Sequence, residues 1–161
     1  MVNINDLAPE FTEDSYVNKD IKKISLNDYK GKWVILFFYT ADFTFVCPTE
    51  LGELADKYEE IKKLGGEVIS VSVDTAFVHK AWHDHSPTIK KIKFPMLADP
   101  TRRVCCAYNT LIENEGVSLR ATFLIDPEGV IKTIEMHDNS IGRNVNEIIR
   151  KIEAAKYVAE H

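Results

Sequence analysis

The sequence predicts an α/β protein, a three-layer sandwich in which helices flank a central mixed β-sheet. Three observations predict it. Trp33-Val34-Ile35-Leu36-Phe37-Phe38-Tyr39 and Glu67-Val68-Ile69-Ser70-Val71-Ser72-Val73 are short, nearly continuous β-branched and aromatic runs, the pattern of strands buried on both faces. Helical stripes alternate with these runs: Leu51, Leu54, Ala55, Tyr58 and Ile61 recur at three- and four-residue spacing, and so do Val145, Ile148, Ile149, Ile152 and Ala155. Two further runs, Arg120 to Asp126 and Val130 to His137, flank the turn signal Pro127-Glu128-Gly129, so an antiparallel hairpin joins the sheet.

The elements follow in order. The first stretch, with Pro9 and the polar Thr12 to Lys23 region, reads as irregular. Ser25 to Lys32 reads as a short helical turn ending at Gly31. The strand Trp33–Tyr39 leads into a loop, Thr40 to Val46, and then a helix from Cys47 or Pro48 to Leu64. Pro48 suits the first helical turn, where a missing N–H costs nothing, and Gly65-Gly66 stops the helix. After the strand Glu67–Val73 come a helix over Ala76 to Asp84, a short strand over Pro95 to Ala98 and a short helix over Pro100 to Tyr108. Asn109 is expected in a left-handed conformation after that helix. The hairpin and a last helix, Asn144 to Ala159, complete the chain. Its 161 residues fit one domain, 1–161, and 45% hydrophobic residues suffice for a core.

Composition excludes several classes. The formal net charge of -5 and the lack of a long basic run argue against nucleic-acid binding. The one basic knot, Lys90-Lys91-Ile92-Lys93, reads as a solvated turn. No run reaches the roughly 18 apolar residues of a membrane span, and the N-terminus lacks a signal peptide's basic-then-apolar order, so a cytoplasmic protein is expected. Three cysteines, Cys47, Cys105 and Cys106, form no even framework and no C-x-x-C pair. His79 and His83 stand one helical turn apart, with His85 nearby, but no ligand set completes them, so no metal is expected.

Cys47 stands where a buried strand hands over to a helix. Free helix N–H groups and the positive end of the helix dipole favour the thiolate, which is the nucleophilic form. Thr44, three residues upstream, could turn its hydroxyl toward the sulfur or a bound oxygen, since a hydroxyl both donates and accepts. Glu50, one turn downstream, would oppose a thiolate unless an arginine holds it, and Arg120 and Arg143 are the candidates. From these residues alone two readings stay open: an activated nucleophile, or a small buried hydrophobe.

The segment Asp42-Phe43-Thr44-Phe45-Val46-Cys47-Pro48-Thr49-Glu50 resembles the active-site loop of peroxiredoxins of the typical two-cysteine, alkyl-hydroperoxide-reductase subgroup. Further matches follow in order: Asp74 to Phe77, His79 to Trp82, Phe94 to Asp99, Arg120 to Phe123 with Ile125-Asp126, and Ile141 to Val145. The resemblance implies a thioredoxin-like fold and reduction of hydrogen peroxide and small alkyl hydroperoxides without metal or flavin in the chain. It implies that Cys47 is the peroxidatic cysteine, that Thr44 and Arg120 activate it and hold the peroxide, that Pro48 covers the site, and that Glu50 and Arg143 orient Arg120. It implies an external thiol reductant, thioredoxin-like or a flavoprotein disulfide reductase. It also implies homodimers, often joined into decameric rings through the region of Ala76-Phe77. A non-catalytic holdase-like or redox-regulatory oligomer is the alternative reading.

Three positions depart from the family pattern. Thr40 stands where the family has a proline that shields the pocket. No resolving cysteine in a C-terminal V-C-P segment occurs up to His161, so either such a tail lies outside this sequence, which is the favoured expectation, or an external thiol completes the cycle. Cys105-Cys106 replace small or polar residues; one is expected buried and the other exposed, with packing favoured over a resolving role.

Overall fold

The structure, a computed structural model, describes residues 1–44 and 46–161. β1 (Thr12–Val17) and β2 (Asp20–Ser25) form a hairpin, and a 3-10 turn, Leu26–Tyr29, leads to β3 (Trp33–Phe38). Then come α1 (Val46–Lys63), β4 (Gly66–Ser72), α2 (Ala76–His85), a 3-10 turn at Ile89–Lys91, β5 (Met96–Ala98) and α3 (Arg103–Ala107). β6 (Leu111–Ile112), β7 (Val117–Ser118), β8 (Arg120–Ile125), β9 (Ile131–His137) and α4 (Val145–Glu160) complete it.

Seven strands form one sheet in the order β2-β1-β5-β4-β3-β8-β9. β3 pairs parallel with β4 and antiparallel with β8, and β4 pairs parallel with β5, so the sheet is mixed. β3 explains why its sequence is a continuous apolar run. Trp33, Ile35, Phe37 and Tyr39 face one core with Leu51, Leu54, Trp82 and Ile148, while Val34, Leu36 and Phe38 face another with Leu97, Val104, Tyr108 and Phe123. Side chains alternate along a strand, and a central strand has no solvent face on which to place polar ones.

The expected helices and central strands are present within one to three residues of their bounds. Gly65 closes α1 at φ 85°, and Asn109 is left-handed at φ 60°. Two hairpins were not expected. The polar stretch from Thr12 holds β1 and β2, joined by Asn18 and Lys19 at φ 52° and 65°, a tight two-residue turn with both residues left-handed. β2 is an edge strand with Asp20, Lys22 and Lys23 exposed. Charge on an edge strand guards it against further pairing, and the same charge hides the strand from a hydrophobic pattern. β6 and β7 make a separate two-residue ladder, too short to leave a periodic signal. Among the described residues no helix is long and apolar enough to cross a membrane.

Candidate active site

The junction between β3 and α1 is shaped by three local contacts. Tyr39 N–H still donates to the Val71 carbonyl (3.0 Å), extending the parallel ladder one residue past β3. The Asp42 N–H then donates to Asp74 Oδ2 at 2.7 Å, and Phe43 turns the chain at φ 61°. A left-handed aromatic residue is uncommon, and such strain persists only where neighbours hold it. The Thr44 hydroxyl donates to the Ala41 carbonyl at 3.0 Å, closing the turn. α1 begins at Val46, which puts Cys47 in its first turn, where backbone N–H groups have no helical partner.

Cys47 is fully buried, in the core with Phe37, Tyr39 and Leu51. Across the sheet Arg120 opens β8. Its Nη1 donates to Cys47 Sγ at 3.2 Å and to Glu50 Oε1 at 2.8 Å, and its Nε donates to the Asn139 carbonyl at 2.8 Å. Arg143, just before α4, completes the cage around Glu50. Its Nε and backbone N–H reach Oε2 (3.0 and 2.6 Å) and its Nη2 reaches Oε1 (3.0 Å). The Arg143 Nη1 donates to the Ala121 carbonyl and the Thr122 hydroxyl, and the guanidinium lies 3.6 Å from the centre of the Phe37 ring.

The charges decide what this cluster can do. Arg120, Arg143, Glu50 and Cys47 are all buried, so water screens little of their interaction. Two guanidiniums against one carboxylate leave an excess of one positive charge, which a thiolate at Cys47 cancels. Burial would push Glu50 up, but the hydrogen bonds and charge of Arg143, then the charge of Arg120, hold its carboxyl below the ordinary value. Burial also draws Arg143 below the usual guanidinium value against the pull of Glu50. A guanidinium titrates so far above neutrality that the pair stays charged.

All six residues singled out from the sequence come together at this junction. Pro48, half-buried, sits beside Cys47 in the first turn. The Thr44 hydroxyl gives its proton to the Ala41 carbonyl, which leaves its oxygen as an acceptor. Phe45, part of the matched segment, lies outside the described residues. The Thr40 Oγ1 is buried and has no hydrogen-bond partner among the described residues. Cys105 is buried in the core on the opposite face of the sheet from Cys47, and Cys106 is exposed. His83 Nε2 donates to the Ile92 carbonyl at 2.9 Å, and among the described residues no three His, Cys, Asp or Glu are grouped to hold a metal. A groove of about 820 Å³ between α4 and the turn after β8, lined by Trp33, Lys132, Lys151 and Ala155, does not include the cysteine.

One buried network went unread in the sequence. Behind the loop, Asp42 Oδ1 accepts from the Tyr39 hydroxyl (2.5 Å) and Oδ2 lies 2.6 Å from His79 Nδ1. The Ser72 hydroxyl donates to Asp74 Oδ2 at 2.8 Å, and His79 Nε2 donates to the Leu97 carbonyl at 3.0 Å. Asp42 and Asp74 lie inside the matched segments, but only the fold brings them and His79 together.

Residues 4–134 match the model of the AhpC/TSA family. The chain is similar to alkyl hydroperoxide reductase C of Escherichia coli strain K12, with 49% identity over 158 residues, 98% of this chain and 84% of that protein. It is 44% identical to alkyl hydroperoxide reductase C of Staphylococcus epidermidis over 98% of this chain and 85% of that one. Among solved structures, the crystal structure of Enterococcus faecalis AhpC superposes with a TM-score of 0.97 at 48% identity, covering 100% of this chain and 96% of that one. The reduced 2-Cys peroxiredoxin of Plasmodium vivax superposes at 0.96 with 32% identity, over 100% and 86%.

Proposed function

The chain belongs to the AhpC/TSA family and is a thiol-dependent peroxidase with a thioredoxin-like fold, and on that footing we propose that Cys47 is the sulfur that reduces the peroxide. The observation that carries the assignment is the Arg120 guanidinium 3.2 Å from Cys47 Sγ inside a buried cluster with one positive charge in excess. Such a site favours the thiolate without help from a general base. The thiolate attacks one oxygen of hydrogen peroxide or a small alkyl hydroperoxide. An S–O bond forms as the O–O bond breaks, sulfur is oxidised by two electrons to the sulfenic acid, and the leaving oxygen takes up a proton and departs as water or an alcohol. Arg120 and the free N–H groups of the first turn of α1 meet the negative charge that develops on that oxygen. Thr44, its own proton committed to Ala41, accepts from the peroxide hydroxyl. Pro48 covers the thiol, and Glu50 with Arg143 hold the Arg120 fork in place.

An external thiol reductant, thioredoxin-like or a flavoprotein disulfide reductase, returns the sulfur to the thiol. A resolving disulfide to Cys105 would have to cross the sheet, which the short reach of a disulfide disfavours. The outer edge of β9 past Ile131, which pairs with no strand among the described residues, and the exposed Phe43 and Phe77 suit a homodimer that assembles further into a ring. Residues 1–161 act as one domain, since α1, α4 and the sheet share a core. Three free thiols suit a reducing compartment such as the cytoplasm. Stopped-flow consumption of hydrogen peroxide tests the assignment: Cys47→Ser is expected to fall to the buffer background, and rapid turnover retained in that variant would rule it out.

A further inference from the structure

We propose that a basic hollow between the β1–β2 turn, α2 and the 3-10 turn that follows it binds a small oligophosphate, a short chain of phosphate groups. The proposal is independent of the chemistry at Cys47. Two adjoining hollows of about 270 and 370 Å³ open here. Tyr16, Lys19, His83 and Lys90 line both, Lys93 lines the first, and Lys80 and Asp84 line the second. One water takes up about 30 Å³, so there is room for more than one phosphate group.

The charges here differ from those of the chain as a whole. The formal net charge is -5, yet four lysines meet in the hollow and Asp84 is the one carboxylate on its wall. That carboxylate is already held by the Lys80 ammonium at 2.6 Å. Lys19, Lys90 and Lys93 form no ion pair among the described residues, while Lys91 turns away from them to Asp56 at 3.1 Å. Like charges gathered in a concave wall raise the local potential and favour an anion.

Tyr16 supplies a second and independent observation. The chain has four buried tyrosines. A buried hydroxyl normally has a partner, and those of Tyr39, Tyr58 and Tyr108 donate to Asp42, Glu67 and the Pro9 carbonyl. Tyr16 is 3% exposed, and its hydroxyl forms no hydrogen bond among the described residues. It is the tyrosine on the wall of this hollow. Its position is fixed, because β1 pairs it with Ile21 and Met96 and its ring meets the His83 ring edge-on at 5.1 Å. His83 is fixed in turn by Nε2, which donates to the Ile92 carbonyl at 2.9 Å.

The donor set selects the ligand. Lysine is a compact point charge that suits phosphate oxygens, whereas the planar arginine fork that matches a carboxylate is missing from the wall. Lys93 stands at one hollow and Lys80 at the other, with Lys19 and Lys90 common to both, so the cations suit an elongated anion. The rings of Tyr16 and Phe94 are 3% and 1% exposed and offer no open face to a nucleobase.

Isothermal titration calorimetry of the full chain at low salt tests this, with tripolyphosphate, orthophosphate, citrate and ATP as probes. Tripolyphosphate is expected to bind at least about tenfold tighter than orthophosphate or citrate, and ATP no tighter than tripolyphosphate. Lys90→Ala combined with Lys93→Ala should weaken tripolyphosphate about tenfold. Tyr16→Phe keeps the ring and should also weaken it about tenfold, the usual loss for a hydrogen bond to a charged group. Lys63→Ala, at an exposed lysine outside the hollow, should bind within about twofold of the parent. Amide shifts in ¹⁵N NMR should be confined to residues 17–19, 83 and 90–94. No binding of tripolyphosphate, parent-like binding in either Tyr16→Phe or the lysine variant, or citrate bound as tightly would overturn the inference. ATP bound at least about tenfold tighter would do so too, because the site would then read a base. Circular dichroism establishes that each variant folds; should Tyr16→Phe fail to fold, the lysine variant and the amide shifts decide.

Discussion

Cys47 and Cys105 are both fully buried, both lie early in a helix, and both have a charged partner, yet the partners have opposite sign. Cys47 meets the guanidinium of Arg120. Cys105 lies over the Asp99 carboxylate, which accepts from the backbone N–H groups of Val104 and Cys105 at 3.0 and 2.8 Å. Burial, then the hydrogen bond and charge of Asp99, push the Cys105 thiol far above the ordinary cysteine value. The lesson is that burial and an early helical position do not make a nucleophile. In a desolvated site a neighbouring carboxylate opposes the thiolate, while a neighbouring guanidinium does not.

The strongest way to break the contrast is to remove that sign. Arg120→Gln should slow peroxide reduction about 10²- to 10³-fold, the usual loss for one buried donor aimed at a reacting charge, in single-turnover stopped flow. A rate within a few-fold of the parent would mean that the helix terminus suffices. Glu50→Gln acts one step back. It leaves two buried guanidiniums without a carboxylate and should cost about 3–5 kcal/mol of stability in urea unfolding, as for other buried pairs stripped of one partner.

The same carboxylate sets a pH limit. Glu50 is held below its ordinary value of 4.5, so its contribution to stability is complete above the unfolded value and is lost as pH falls through the folded one. Acid unfolding followed by circular dichroism should therefore steepen below pH 4.5 in the parent and flatten in Glu50→Gln. The smallest effect sharpens the comparison from the other side. Asp99→Asn should raise alkylation of Cys105 by iodoacetamide only about two- to tenfold, because burial still opposes the thiolate. It should add no peroxidase activity in a Cys47→Ser background.

Much of the site was legible before any coordinates. Cys47 stands out because a continuous apolar run ends one short loop before it and an amphipathic stripe begins just after it. Glu50 demanded an arginine, and both candidates, Arg120 and Arg143, proved to be partners. Other features were hidden for physical reasons. The β1–β2 hairpin is written in charged residues, because an edge strand protects itself with charge. The turn at Phe43 uses a residue that propensity would never place at positive φ, held there by contacts from β4 and α2. The sequence leaves Thr44 open as donor or acceptor, toward the sulfur or a bound oxygen; its proton goes to a carbonyl three residues away, a choice set by loop geometry.

The sequence by itself determined the central strands of the sheet and its helices, the two-sided burial of β3 and the position of Cys47 at a strand-to-helix junction, because strand and helix periodicity and turn chemistry act over a few residues. The tertiary structure decided which charge each buried group would face. Glu50 meets Arg120 across 70 residues and Arg143 across 93, and Asp42 meets His79 across 37. Electrostatic interactions strengthen when water is excluded. Water is excluded only once distant segments have packed, so the charge that each buried cysteine faces, Arg120 at Cys47 and Asp99 at Cys105, is a property of the fold.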